Sequence, residues 1–307
     1  MPTTDKQLEA ACRSAASTIL PMPAVTSIDV TVGGNSHTGL VRPNNEDHYA
    51  AVRRTRSRQI LCTNVDIDGL DLSSQHAYIL IVADGVGGQE CGELASELVL
   101  QIGWDVGSRD PSWIMKFDSS QWSRIREQVD EYAREIQNKM REEIRAHPQH
   151  AGMATTWTCV CVLDSEAVIA YAGDSRAYLF RGGALRQLTR DQTIAQELQD
   201  RGLPAQQAAR FKNSLTNTFG GEQDDMIVEV EHVPLADGDR LLLCTDGLSN
   251  MASDVEIAAT LAAARTPQAA CDKLIDLALG HGGTDNITVI VADIGSKPSS
   301  ESRRAPA

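Results

Sequence analysis

Apolar residues fall in two rhythms along this chain. The first is a set of short unbroken runs: Ile79-Leu80-Ile81-Val82-Ala83, Val168-Ile169-Ala170-Tyr171-Ala172, Leu241-Leu242-Leu243-Cys244 and Ile287-Thr288-Val289-Ile290-Val291-Ala292. Runs of this length with sharp polar ends predict buried strands. The second rhythm repeats every three or four residues. It predicts a helix starting near Gly92 and running through Leu94, Leu98, Val99 and Ile102. A longer helix is predicted over 121–146, with Ile125, Val129, Tyr132, Ile136, Met140 and Ile144 on one stripe. Four strands in quick succession are predicted at 156–163, 167–173, 177–181 and 185–188. Hairpin spacing within a helix-containing chain argues for antiparallel sheets covered by helices, not a doubly wound parallel sheet.

The ends read differently. Residues 1–27 form an extension in which Leu8, Cys12, Ala15, Ala16 and Ile19 recur at helical spacing, which fits either a short helix docked on the domain or a mobile segment. From Gly295 onward the chain is rich in Ser, Lys, Arg and Pro and is expected to be disordered. One domain, 28–294, lies between them, without internal repeats.

The chemistry sits where the apolar runs stop. The first run ends in Asp84-Gly85-Val86-Gly87-Gly88. Asp-Gly ordinarily marks a turn, and Asp68-Gly69 and Asp237-Gly238 follow no long apolar run. Asp246-Gly247 does, after Leu241-Leu242-Leu243-Cys244-Thr245. The run ending at Gly173 leads into Asp174-Ser175-Arg176, and Asp285-Asn286 opens the last run. Three strands thus end in an aspartate and a fourth begins on one. Carboxylates brought together at one edge repel each other and raise each other's pKa unless cations neutralise them. Four equivalent placements therefore point to a site for more than one divalent metal ion. An all-oxygen set without His or Cys favours Mg²⁺ or Mn²⁺ over Zn²⁺. The seven histidines all lie outside these motifs and read as surface or hydrogen-bonded side chains.

Composition narrows the partners. The formal charge of -14 disfavours binding to nucleic acid or to an anionic membrane, and part of that excess is accounted for if several carboxylates are metal ligands. No apolar run approaches the ~18 residues of a membrane span, and the start lacks the basic segment of a signal peptide. Seven scattered cysteines, three of them (Cys159, Cys161 and Cys244) inside strand-like runs, read as reduced core residues of a cytoplasmic protein.

Taken in order, Arg42-x-x-x-Glu46-Asp47, Asp84-Gly85-x-Gly87-Gly88, Thr155-Thr156, Gly173-Asp174-Ser175-Arg176, Thr245-Asp246-Gly247 and Asp285-Asn286 resemble the metal-dependent protein phosphatases, the type 2C serine/threonine phosphatases, and most closely their bacterial branch. The resemblance covers roughly residues 28–294. It implies an α+β fold, an α-β-β-α sandwich of two antiparallel sheets flanked by helix pairs, with the metals in a cleft at one end. It further implies that Asp84 bridges two ions, that Glu46 and the Gly85 carbonyl complete one, and that Asp246 and Asp285 hold the other. Asp47 would hold a water or ligate weakly. Arg42 would clamp the substrate phosphate, its planar fork matching two oxygens. Asp174 would serve a third, weaker ion together with Asp246, or else pair with Arg176 in a purely structural role. Asn286 would orient Asp285 or cap its turn, and Thr155 and Thr156 would pack the strand.

Two departures from the family pattern stand out. Ala154 occupies a position that is usually Gly, and Val86 stands where some relatives carry a histidine proposed as general acid. The segment 189–221 is expected to form a flap beside the metals that sets substrate choice. The implied activity is hydrolysis of phosphoserine and phosphothreonine in proteins, with a cognate kinase's targets as substrates and a monomeric enzyme. The alternatives are a phosphatase for small phosphorylated metabolites and a non-catalytic module on the same fold. Retention of Arg42, Glu46, Asp84, Asp246 and Asp285 together speaks against the last.

Overall fold

The unbroken apolar runs become strands with two buried faces. In the computed structural model, which describes residues 28–57, 59–62, 75–86, 91–109, 122–221 and 226–296, the elements in chain order are β1 (Ile28–His37), β2 (Asp47–Arg56), β3 (Gln75–Val86), α1 (Cys91–Arg109), α2 (Trp122–Ala146), β4 (Ala154–Thr155), β5 (Trp157–Leu163), β6 (Glu166–Ala172), β7 (Arg176–Arg181), β8 (Ala184–Gln187), α3 (Ile194–Asp200), α4 (Ala205–Ala208), β9 (Phe219–Gly220), β10 (Glu229–Pro234), β11 (Arg240–Cys244), α5 (Asp246–Ser249), α6 (Asp254–Ala263), α7 (Pro267–Gly280) and β12 (Ile287–Ser296). Both predicted helices form within a residue or so of their expected starts.

All strand pairs are antiparallel. One sheet has the order β1-β12-β11-β7-β8; the other runs β10-β6-β5-β3-β4-β9, with β2 paired to β3. Strand periodicity divides each apolar run between two cores. From β3, Leu80 and Val82 enter the core between the sheets, with Val160, Ile169, Leu241, Leu243 and Ile290. Ile81 and Ala83 face outward and pack under α1 and α2, against Val99, Val129, Ile136 and Met140. On the other side Leu242, Cys244, Val289 and Val291 pack under α6 and α7, against Ile257, Leu261, Leu274 and Ile275. The result is the expected α-β-β-α sandwich, a helix pair on each side.

One expectation changes. The four strands between 156 and 188 do not form a single meander. β5 and β6 pair with each other in one sheet, while β7 and β8 belong to the other. The chain crosses between sheets at Gly173-Asp174-Ser175, where Gly173 takes φ 111°, a backbone conformation that L side chains rarely adopt. The far end also shifts. Gly295 and Ser296 remain in β12, opposite Asp29 and Ile28, so the domain runs past 294. The predicted helix within 1–27 and the tail beyond 296 lie outside the described residues.

Candidate metal centre and active site

The loop 38–46, the ends of β3 and β11, the β6–β7 crossing and the start of β12 meet at one end of the sandwich. Asp47 opens β2 directly opposite Asp84 near the end of β3. Asp246 follows β11 as the first residue of α5, and Asp285 stands two residues before β12. The four aspartates at strand edges therefore come from both sheets, not from one. Burial and mutual influence raise the pKa values of Asp47, Asp84, Asp174 and Asp246. Burial first, then the charges of Asp47, Asp246, Asp174 and Asp285, hold the Asp84 carboxyl well above the usual range. Asp174 is raised by burial and then by Asp246 and Asp191. Burial, with Asp246 and Asp285 adding to it, pushes Asp47 up to about 7. Asp246 rises to about 6, through burial and then the charge of Asp285.

A buried cluster of this kind fits cations. Asp47 Oδ2 accepts a hydrogen bond from Thr245 Oγ1 at 2.7 Å, but its Oδ1 is buried and makes no hydrogen bond. Glu46 reaches the cluster because residue 92 is glycine: a Cβ there would come within 2.5 Å of Glu46 Oε2. Among the described residues, no three of these carboxylates bring oxygens within 4.8 Å of one another. The arrangement suits ions shared between few side chains and completed by water, the habit of Mg²⁺ and Mn²⁺, and not one ion gripped by three ligands.

The backbone of Asp84 is fixed by two residues expected only to pack. Thr156 N–H donates to the Asp84 carbonyl at 2.9 Å, Thr155 Oγ1 donates to the same carbonyl at 3.0 Å, and Asp84 N–H donates to Thr156 Oγ1 at 3.0 Å. Both threonines are fully buried. Gly85 N–H donates to the Glu46 carbonyl at 3.1 Å, which joins the loop to β3. Ala154 is accommodated, pairing with Val86 on one side and Gly220 on the other.

Asn286 does not simply orient Asp285. Its Nδ2 donates to the carbonyls of Thr38 and Asn44, each at 2.8 Å, and its Oδ1 accepts from Glu46 N–H at 2.8 Å. It clamps the whole loop that carries Arg42 and Glu46. Arg42 itself, half exposed, donates through Nη2 to Asp285 Oδ2 at 2.7 Å. The residue expected to clamp phosphate thus pairs with an expected metal ligand, and a cation at Asp285 would release it.

The alternative pairing of Asp174 with Arg176 is not what forms. Arg176 makes a two-pronged ion pair with Asp191, Nε to Oδ1 at 2.8 Å and Nη2 to Oδ2 at 2.6 Å. Asp174, 9% exposed, is left to face a cavity of about 280 Å³ lined also by Asp246, Asp191, Thr193, Lys212 and Asn250. The segment 189–221 forms the far wall. It is anchored to the crossing by Gln192, whose Oε1 accepts from Gly173 N–H at 2.7 Å and from Asn217 Nδ2 at 2.8 Å. Lys212, from the same segment, lowers the pKa of Asp246 by its charge. Gln192, Asn217 and Lys212 carried no signal in the linear sequence, because each works across more than ten residues of chain. Val86 stands exposed at the end of β3, with no group that could donate a proton.

Comparison with known proteins gives a consistent picture. The family profile described as Protein phosphatase 2C matches residues 66–274. The serine/threonine phosphatase stp of Listeria monocytogenes is 34% identical over 248 residues, covering 80% of this chain and 95% of its own. The serine/threonine protein phosphatase PstP of Mycobacterium tuberculosis is 31% identical over 265 residues, 84% of this chain and 44% of that longer protein. A crystal structure of the PstP catalytic domain in complex with two manganese ions superposes with a TM-score of 0.68 at 29% identity, covering 88% of this chain and 100% of that one.

Proposed function

The chain belongs to the protein phosphatase 2C family of metal-dependent serine/threonine protein phosphatases, and we propose that the cleft of Glu46, Asp47, Asp84, Gly85, Asp174, Asp246 and Asp285 is its catalytic centre. The observation that carries this reading is the convergence of buried and half-buried aspartates from two sheets, one of them with a buried carboxylate oxygen that makes no hydrogen bond. Two ions, Mn²⁺ or Mg²⁺, suit an oxygen-only donor set. When bound, they supply Lewis-acid charge to the phosphoryl oxygens and lower the pKa of water.

The residues divide the rest of the work. Asp84, held rigidly by Thr155 and Thr156, lies at the centre of the charge cluster and would be the ligand shared between the ions. Glu46 and the Gly85 carbonyl stand on one side of it, Asp246 and Asp285 on the other. Asp47, tied to Thr245, orients water. Arg42 stands half exposed at the rim, where its guanidinium meets an incoming phosphate dianion once Asp285 is engaged elsewhere. Asp174 and Asp246 share the cavity beside the segment 189–221 and offer a third, weaker cation position.

Phosphorylated proteins, among them targets of a cognate serine/threonine kinase, are the substrates. The monomer is the working unit. We place the enzyme in the cytoplasm on its thiols: the six described cysteines are free, and Cys244 and Cys271 are buried in the core. None of the described helices is long and apolar enough to cross a membrane.

The experiment is hydrolysis of a phosphothreonine peptide and of p-nitrophenyl phosphate, with and without Mn²⁺. Activity should require the metal and vanish with chelator. Asp84→Asn and Asp246→Asn should each lower turnover by orders of magnitude in a folded protein. Full activity in either variant would remove the assignment.

A further inference from the structure

A cluster of metal-binding side chains remains outside the cleft. Among the described residues, one group alone brings three ligand atoms within 4.8 Å of one another: Glu143, His147 and His150. From sequence alone both histidines read as surface or hydrogen-bonded side chains. Local structure converges them. Glu143 and His147 are four residues apart, so they share a face of the helix end. Pro148 cannot continue α2. The chain instead makes a single 3₁₀ turn, Pro148–His150, with His150 N–H donating to the His147 carbonyl at 2.8 Å. That turn swings His150 back over the same face. The two imidazole rings end 5.2 Å apart.

We propose that Glu143, His147 and His150 form a second metal site, suited to a nitrogen-preferring divalent cation of the Zn²⁺ class and separate from the carboxylate cleft. The geometry supports it in two independent ways. Glu143 Oε1 lies 2.7 Å from His147 Nδ1 and 3.4 Å from His150 Nδ1. Ligands at the usual ~2.0–2.1 Å from a tetrahedral zinc are ~3.3–3.4 Å apart. The second distance already matches, and the first requires an opening of ~0.6 Å, within the reach of exposed side chains. Secondly, His150 Nδ1 is buried and makes no hydrogen bond. A buried ring nitrogen with no proton partner costs free energy that a metal bond removes. Two imidazoles and one carboxylate prefer zinc-like ions, whereas the aspartate cleft prefers harder ones. The protein thus sorts two kinds of cation by donor chemistry. Three protein ligands leave a fourth position for water.

The site lies just ahead of β4, which pairs with the end of β3 that carries Asp84. Met153 N–H donates to the His150 carbonyl at 3.1 Å. Ala154 and Thr155 pair with Val86 and Gly85, beside Asp84. The Cys91 thiol, at the start of α1, donates to the Gln149 carbonyl at 3.6 Å. An ion here fastens the end of α2 to the turn that leads into β4.

The test uses the full chain, stripped with chelator, returned to excess Mg²⁺ to fill the oxygen-lined cleft, and titrated with Zn²⁺ against a chromogenic zinc indicator. Wild type should withhold one equivalent of zinc more than His147→Ala/His150→Ala. His150→Asn and Glu143→Gln should each weaken that equivalent, and Asp246→Asn should leave it intact. The Mn²⁺-dependent activity of the histidine variants should stay at the wild-type level, which shows that they fold. Equal zinc retention in wild type and His150→Asn, or loss of the equivalent in Asp246→Asn alone, would overturn the site.

Discussion

Asn286→Ala isolates what the loop clamp contributes. Asn286 is 6% exposed, and its three hydrogen bonds at 2.8 Å tie residues 38, 44 and 46 to the start of β12. Each is worth ~1 kcal/mol net, and groups left unpaired add to the loss. Water reaches part of this loop, so we expect ~2–3 kcal/mol lower stability in urea denaturation with Mn²⁺ present. The larger effect should be catalytic. The loop still has Leu40 N–H on the Gly283 carbonyl at 2.7 Å and Gly85 N–H on the Glu46 carbonyl at 3.1 Å, so it stays attached but loosens. A displacement of ~1 Å at positioned groups can cost ~10²-fold in rate. Hydrolysis of p-nitrophenyl phosphate should fall by about that factor, and half-maximal activity should need more Mn²⁺, because Glu46 is displaced. A variant within about twofold of wild type in rate, with unchanged Mn²⁺ dependence, would refute the role given to Asn286 whatever its stability.

Arg42→Ala should mainly raise KM for phosphate esters, since it removes binding common to ground and transition states; a large fall in kcat at constant KM would instead make Arg42 a transition-state group. Asp174→Ala should slow phosphopeptide hydrolysis more than p-nitrophenyl phosphate hydrolysis, because serine and threonine leave only with a proton, and it should abolish the weaker class of Mn²⁺ dependence. Equal losses on both substrates would exclude a part in proton supply. The metal-free protein should lose stability as pH rises. Burial and neighbouring charges raise Asp47 to about 7 and Asp246 to about 6 in the fold, against ~3.9 unfolded. The native state therefore binds more protons between ~pH 4 and 7, and the stability present below that window is lost as pH climbs through it. Thermal unfolding in chelator should show a higher Tm at pH 5.5 than at pH 8, and Mn²⁺ should abolish the difference; a Tm in chelator that climbs over the same interval would contradict the cause assigned.

Much of this molecule is legible along the chain because the information is local. A run such as Ile79–Ala83 buries both faces of its strand, so it must be apolar throughout, and the aspartate that stops it marks where the sheet ends. The stripe Ile125, Val129, Ile136 and Met140 needs only helical geometry to be recognised. Hence the two helices and the layered α+β architecture can be read from spacing, and the carboxylates proposed for the cleft from the family resemblance.

What spacing cannot carry is which distant group each residue meets. Tyr171 and Tyr178 lie seven residues apart in similar strands, yet they enter different sheets, because Gly173 permits the crossing and pairing partners sit far off in sequence. That crossing buries Asp174 and leaves Arg176 to Asp191. Arg42 finds Asp285 across 243 residues, and Asn286 finds the loop that holds Glu46. His147 meets Glu143 by helical spacing, but His150 joins them only because Pro148 turns the chain back on itself. Local periodicity reports how many faces of an element are buried. Only the closed sandwich, which brings charges from both sheets out of water together, decides which carboxylates need a cation, because that need arises from burial and mutual repulsion and not from any one residue's identity.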